Sequence, residues 1–185
     1  MTRLFVAARP PDDVRDHLDA QVAQLRETLP GWRWVRPEHW HLTLAFFGEV
    51  DERRVPELET RLARAAARHP SLILALNGLG AFSSLRRATV LWVHVDGDRD
   101  ALGALAASVA AAGRRTGIAV EERRYRPHLT LARRRTPVDL TDQLASARDY
   151  QGPTFAVADI VLVESHVGAH VEHLDRARFH LGHRA

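Results

Sequence analysis

The tetrapeptide His-Leu-Thr-Leu occurs twice in this chain of 185 residues, as His41-Leu42-Thr43-Leu44 and as His128-Leu129-Thr130-Leu131. The copies begin 87 residues apart, close to half the chain. That spacing is what a duplicated unit leaves behind. On a strand, successive side chains point to opposite faces, so each His and Thr share one face while the two Leu face the other. Each copy is therefore a polar dyad on a leucine-anchored strand. If the halves are related by a pseudo-twofold axis, the dyads can face one another across a groove that neither half could build alone. The length suits one domain, residues 1–185, built as two lobes.

The surrounding segments repeat a strand and helix grammar. Arg3–Ala8 reads as a strand, and Pro11-Asp12-Asp13 opens a helix to about Thr28 with Val14, Leu18, Val22 and Leu25 on one stripe. Pro30-Gly31 ends it. Trp32–Val35 and His41–Phe47 read as strands, with Gly48 closing the second, and a helix runs from Glu52 to about Arg68. The second half offers a strand at Leu72–Leu76, a Gly-rich loop Asn77-Gly78-Leu79-Gly80, a strand at Val90–Val95 and a helix from Asp100 to Ala112 that ends at Gly113. An arginine-rich approach, Glu121–Arg126, leads to a strand at His128–Arg133. Phe155–Ser165 and Val171–Leu181 are the last strand candidates. Strands and helices do not alternate regularly, so the expected class is α+β, with two mostly antiparallel sheets flanked by helices and the site in the groove between them.

Composition closes several chemistries. There is no cysteine, which removes disulfides, thiolate nucleophiles and Cys-type zinc sites. All 26 basic residues are arginine, so Schiff bases, the P-loop lysine and lysine adenylation are absent too. No segment is apolar long enough to span a bilayer, and the N-terminal apolar run is too short for a signal peptide. The expectation is a cytoplasmic protein without a membrane partner, acting as a monomer. Two histidines and two hydroxyls suit in-line displacement at a phosphodiester. One neutral imidazole takes a proton from the attacking oxygen, and one imidazolium gives a proton to the leaving oxygen. The threonines donate hydrogen bonds to the non-bridging oxygens. The arrangement requires neither metal nor cofactor.

The two motifs resemble those of the two-histidine (2H) phosphoesterase superfamily. Within it, Trp34-Val35-Arg36-Pro37-Glu38 followed by His41-Leu42-Thr43-Leu44-Ala45-Phe46-Phe47-Gly48 is similar to the bacterial RNA 2′,3′-cyclic phosphodiesterases, formerly called 2′-5′ RNA ligases. Gly78-Leu79-Gly80-Ala81-Phe82, Val90-Leu91-Trp92, Arg126-Pro127-His128 through Arg133, and Leu162-Val163-Glu164-Ser165 continue the match over essentially the whole chain. The resemblance implies a bilobal α+β fold and hydrolysis of a 2′,3′-cyclic phosphate end, on RNA or a nucleotide, to a 2′-phosphate. It carries catalytic roles onto His41, Thr43, His128 and Thr130, and substrate binding onto Arg133. Trp40 before the first histidine, and His166 where an arginine is expected, depart from the pattern.

Residue by residue, Arg133 lies on the wrong face of a regular strand and reaches the groove only if the strand ends, bends or bulges; Arg133–Pro137 reads as a strand exit. Arg126 is a second substrate-binding candidate, with a solvated surface charge as the alternative. Phe46 falls on the Leu face and reads as core, and Trp34 and Trp40 read as packed rather than stacked on a base. His166, His170, His173, His180 and His183 read as surface residues rather than a metal cluster, and His94 as an exposed strand position. For the reaction, His128 is assigned as base and His41 as acid, although the pseudo-symmetry equally permits the reverse. Alternatives are 2′-5′ ligation at the same site, a non-catalytic RNA-binding module that leaves RNA ends unchanged, and a metallohydrolase sensitive to chelator.

Overall fold

The computed structural model describes residues 1–121, 124–145, 147–167 and 171–183, without the side chains of 167 and 171. The chain runs β1 (Thr2–Ala8), α1 (Asp12–Thr28), β2 (Arg33–Trp34), β3 (Leu42–Val50), α2 (Val55–Ala66), β4 (Leu72–Phe82), β5 (Ala88–Gly97), α3 (Arg99–Arg115), β6 (His128–Val138), β7 (Gln151–Val157), β8 (Asp159–Val167) and β9 (Val171–His180). The strands hydrogen-bond in the order β7-β4-β5-β6-β3-β1-β8-β9, with β2 beside β6. Among the described residues all strand pairings are antiparallel. The two expected sheets are the halves of this path, β7-β4-β5-β6 and β3-β1-β8-β9. They are joined through the pair Leu42↔Leu129, one residue from each histidine.

The sheet curls so that its far regions approach. β7 and β8 lie in different halves yet are separated in sequence by Ala158 alone, and the Leu181 amide donates to the Ala158 carbonyl at 2.9 Å. Phe155–Ser165 is thus two strands with a crossing between them, because Phe155 pairs with Leu74 while Leu162 pairs with Val6.

The core side of the sheet carries the repeat leucines. Leu42, Leu129 and Leu131 are fully buried and Leu44 nearly so, each worth about 1.5–3 kcal/mol of transfer free energy. α1 buries Val14, Leu18 and Val22, a stripe that recurs every four residues. α2 and α3 pack on each other and bury Leu58, Leu62, Leu102, Leu105 and Val109. None of the helices among the described residues is long and apolar enough to cross a membrane.

Three glycine expectations are corrected. The Asn77–Gly80 segment is no loop: β4 continues through it, with a register shift between Asn77 and Leu79. Gly78 adopts φ +63°, and a Cβ there would meet the Arg148 carbonyl oxygen at 2.8 Å. Gly113 does not end α3, which runs on to Arg115. Its missing side chain instead admits Phe47, whose Cε1 would lie 2.5 Å from an added Cβ. β3 likewise runs past Gly48 to Val50, and β6 passes through Thr136 and Pro137 to Val138 instead of exiting at Arg133.

Candidate active site

The pair Leu42↔Leu129 fixes where the two motifs meet. His41 and Thr43 flank Leu42, and His128 and Thr130 flank Leu129, so this one pair brings the two motifs side by side. Both leucines point into the core, so both dyads stand on the opposite, groove face. Beyond this pair the strands part: β1 continues beside β3, and β2 takes the place beside β6 through Trp34↔Ala132 and Arg33↔Arg133.

Each imidazole is held in the same way. His41 Nδ1 donates to the His39 carbonyl and His128 Nδ1 donates to the Arg126 carbonyl, both at 2.7 Å. A carbonyl only accepts, so the proton of the neutral ring sits on Nδ1 and the lone pair on Nε2. These carbonyls are positioning groups that sequence reasoning missed, since main-chain acceptors leave no residue signature. Arg126 thus contributes its backbone, while its side chain is exposed.

Matching bulges follow the two motifs. In β6, Thr130 pairs with Trp92 and Ala132 with Leu91, leaving Leu131 as the extra residue; Arg133 then pairs with Val90. Val90 and Trp92 share a face of β5, so Thr130 and Arg133 share the groove face. A bulge, one of the routes by which Arg133 can reach this face, is present in place of the expected strand exit. In β3, Thr43 pairs with Ala7 and Ala45 with Val6, so Leu44 is the extra residue and Phe46 pairs with Phe5. Phe46 is therefore turned off the core face. It is 42% exposed and lies under Arg3, whose Cζ is 4.9 Å from the ring centroid. The core placement expected for Phe46 is corrected by this bulge, and Phe46 and Arg133 hold equivalent positions in the two halves.

Aromatic rings back both histidines. Phe5 lies 4.9 Å from His41, and Phe82 lies 5.0 Å from His128, centroid to centroid. Trp92 and the exposed His94 flank His128 on the same face, His94 being its cross-strand partner. His173, expected at the surface, is instead half-buried 5.5 Å from His41, edge to face, with His39 at 5.4 Å. β9 brings it there by pairing with β8. Its expected companion His170 lies outside the described residues, while His180 and His183 are exposed. His166 pairs with Glu164 at 3.1 Å, and Glu164 also holds Arg176. Trp40 is buried, its indole N–H donating to the Val35 carbonyl, and Trp34 packs against the core.

Burial makes the two rings electrostatically unequal. Desolvation is the main cause that pulls His41 down to about 4; the His39 carbonyl opposes it, and His173, Arg9 and His39 add to it. His128 is also lowered, first by desolvation and then by the Arg133 charge, against the Arg126 carbonyl. Arg133 is itself lowered by desolvation and by Arg33. The paired imidazoles and hydroxyls on a curled antiparallel sheet fit what the resemblance to the two-histidine phosphoesterases implies.

The description "LigT like Phosphoesterase" belongs to a family whose sequence model matches residues 9–92. An RNA 2′,3′-cyclic phosphodiesterase of Bacillus subtilis is 30% identical over 136 residues, covering 73% of both chains. The crystal structure of TT0787 from Thermus thermophilus superposes with a TM-score of 0.80 at 26% identity, over 99% of this chain and all of that one. Escherichia coli LigT complexed with 3′-AMP superposes with a TM-score of 0.76 at 25% identity, over 97% of this chain and 98% of that one. The chain belongs to the LigT-like phosphoesterase family.

Proposed function

We propose that this protein is an RNA 2′,3′-cyclic phosphodiesterase that hydrolyses cyclic phosphate ends to 2′-phosphates with His41 and His128 as its acid and base pair. The observation that carries this reading is the mirrored environment of the two rings. Each presents Nε2 after its Nδ1 is tied to a carbonyl two residues upstream, and each lies one residue from the pair Leu42↔Leu129 that joins the two halves. The relatives' printed activity, and the 3′-AMP bound by E. coli LigT, support the same substrate class.

In the reaction, water attacks phosphorus in line with the P–O3′ bond. One Nε2 takes the proton of water, the P–O3′ bond breaks, and the other Nε2–H protonates O3′, leaving the phosphate on O2′. Thr43, Thr130 and Arg133 donate to the non-bridging oxygens as charge builds there. His41 is the ring more firmly held neutral, which suits a proton acceptor. We therefore assign His41 as base and His128 as acid, reversing the assignment drawn from sequence.

RNA bearing a 2′,3′-cyclic end, with and without a 5′-hydroxyl partner, tests the reaction: the expected product is the 2′-phosphate in both mixtures, whereas a 2′-5′ joined product identifies a ligase. Each alanine variant, His41→Ala or His128→Ala, is expected to lose about 10²- to 10⁴-fold in turnover. A nitrophenyl phosphodiester, whose leaving group needs no proton, separates the roles. His128→Ala then recovers much of its deficit and His41→Ala does not; the opposite pattern reverses the assignment.

A further inference from the structure

Beside the histidines, β2 and β6 set two arginines face to face. Arg33 and Arg133 are direct cross-strand partners, both exposed at their outer ends. Cross-strand partners share a face, so Arg33 stands on the groove face that the Leu131 bulge gives Arg133. Among the described residues neither forms an ion pair. Like charges directly opposite destabilise a sheet, and here each guanidinium faces the other with no carboxylate between. An anion placed over both turns the repulsion into two charge-assisted contacts, and the planar guanidinium fork fits phosphate oxygens.

Position decides which anion. Arg133 lies close enough to His128 for its charge to bear on that ring, whereas Arg33 stands one strand further from β5, on the short strand that replaces β3 beside β6. A phosphate between the histidines engages Arg133 first. Arg33 is then left for the next phosphate of the same strand. We propose that Arg33 binds the phosphodiester preceding the terminal nucleotide, which makes the site selective for oligonucleotide ends. The proposal rests on the cyclic phosphodiesterase function above.

Two dinucleotides ending in a 2′,3′-cyclic phosphate test it, one with the ordinary charged linkage and one with a neutral methylphosphonate linkage. Wild-type protein is expected to favour the charged linkage by about 10-fold or more in kcat/KM, the size of one charged hydrogen bond. In Arg33→Gln the ratio falls to near one, and Arg33→Lys restores part of it. Arg33→Gln is also expected to raise the melting temperature of the free protein by removing the repulsion, which shows that the variant is folded. Equal wild-type rates on the two linkages, or an unchanged ratio in Arg33→Gln, overturn the proposal. A wild-type protein inactive on both dinucleotides overturns the catalytic function, and this proposal with it.

Discussion

The dependence of kcat/KM on pH reports both imidazoles, because that ratio follows the titration of the free protein. His41 titrates near 4, and His128 lies below its ordinary 6.5. With His41 as base and His128 as acid, kcat/KM rises through about pH 4 and falls once His128 loses its proton, so the maximum lies on the acidic side of 6.5. If His41 had to deliver the proton to O3′, pH 7 would stand three units above its titration. Only about one molecule in a thousand would then be competent, a penalty of about 4 kcal/mol at 1.36 kcal/mol per unit. Arg133→Met strengthens the test. It keeps the apolar stem but removes a charge that lowers His128, so the alkaline limb moves to higher pH even though overall activity falls. Initial rates on adenosine 2′,3′-cyclic phosphate, taken well below saturation, give both limbs. An alkaline limb that lies above pH 6.5 in the wild type, or one that stays fixed in Arg133→Met, refutes the reasoning.

Stability should also follow His41. Its folded titration is depressed, so the unfolded chain binds more protons between about 4 and 6.5, and stability present above 6.5 is lost as pH falls through that window. The loss is on the order of 3 kcal/mol, and acid melting curves of His41→Phe are expected to be flatter. His173→Phe keeps a ring against His41 but removes its charge, which contributes to lowering His41; the acid limb of kcat/KM is expected to move up in pH, while Arg9 and His39 continue to oppose protonation. Leu129→Ala removes a fully buried side chain at the join of the two halves, and denaturant melts should show a loss of about 2–5 kcal/mol. Gly113→Ala gains helix propensity of about 1 kcal/mol but drives a methyl into Phe47. Overpacking of about 1–3 kcal/mol exceeds that gain, so a lowered melting temperature is expected.

The parts of the fold that were legible from sequence are those governed by local pattern. α1 follows from its four-residue apolar stripe and opening Asp12-Asp13, and β1, β3 and β5 follow from short alternating runs. The paired motif marks the candidate site because alternation alone puts His and Thr on one face. What the pattern hid depends on partners distant in sequence. Gly78 reads as a turn residue until β5 is seen to pair past it, and Gly113 as a helix stop until Phe47 packs on it. Strict alternation sent Phe46 to the core, and only the β1 pairing exposes the extra residue Leu44 that turns it outward. His173 is 132 residues from His41, and three successive strand pairings, β3 with β1, β1 with β8 and β8 with β9, bring their rings together. Arg33 carried no motif at all; its interest begins with the residue opposite it.

The central claim is that two imidazoles, one from each half of the sheet, act on a single phosphorus atom without help from a metal. Digestion of adenosine 2′,3′-cyclic phosphate in EDTA, with chromatographic identification of the monophosphate formed, tests it most directly. The expected product is adenosine 2′-monophosphate, formed at the chelator-free rate by the wild type and reduced by about 100-fold or more in both single histidine variants. Adenosine 3′-monophosphate as product, loss of wild-type activity in EDTA, or wild-type turnover in either histidine variant would contradict it.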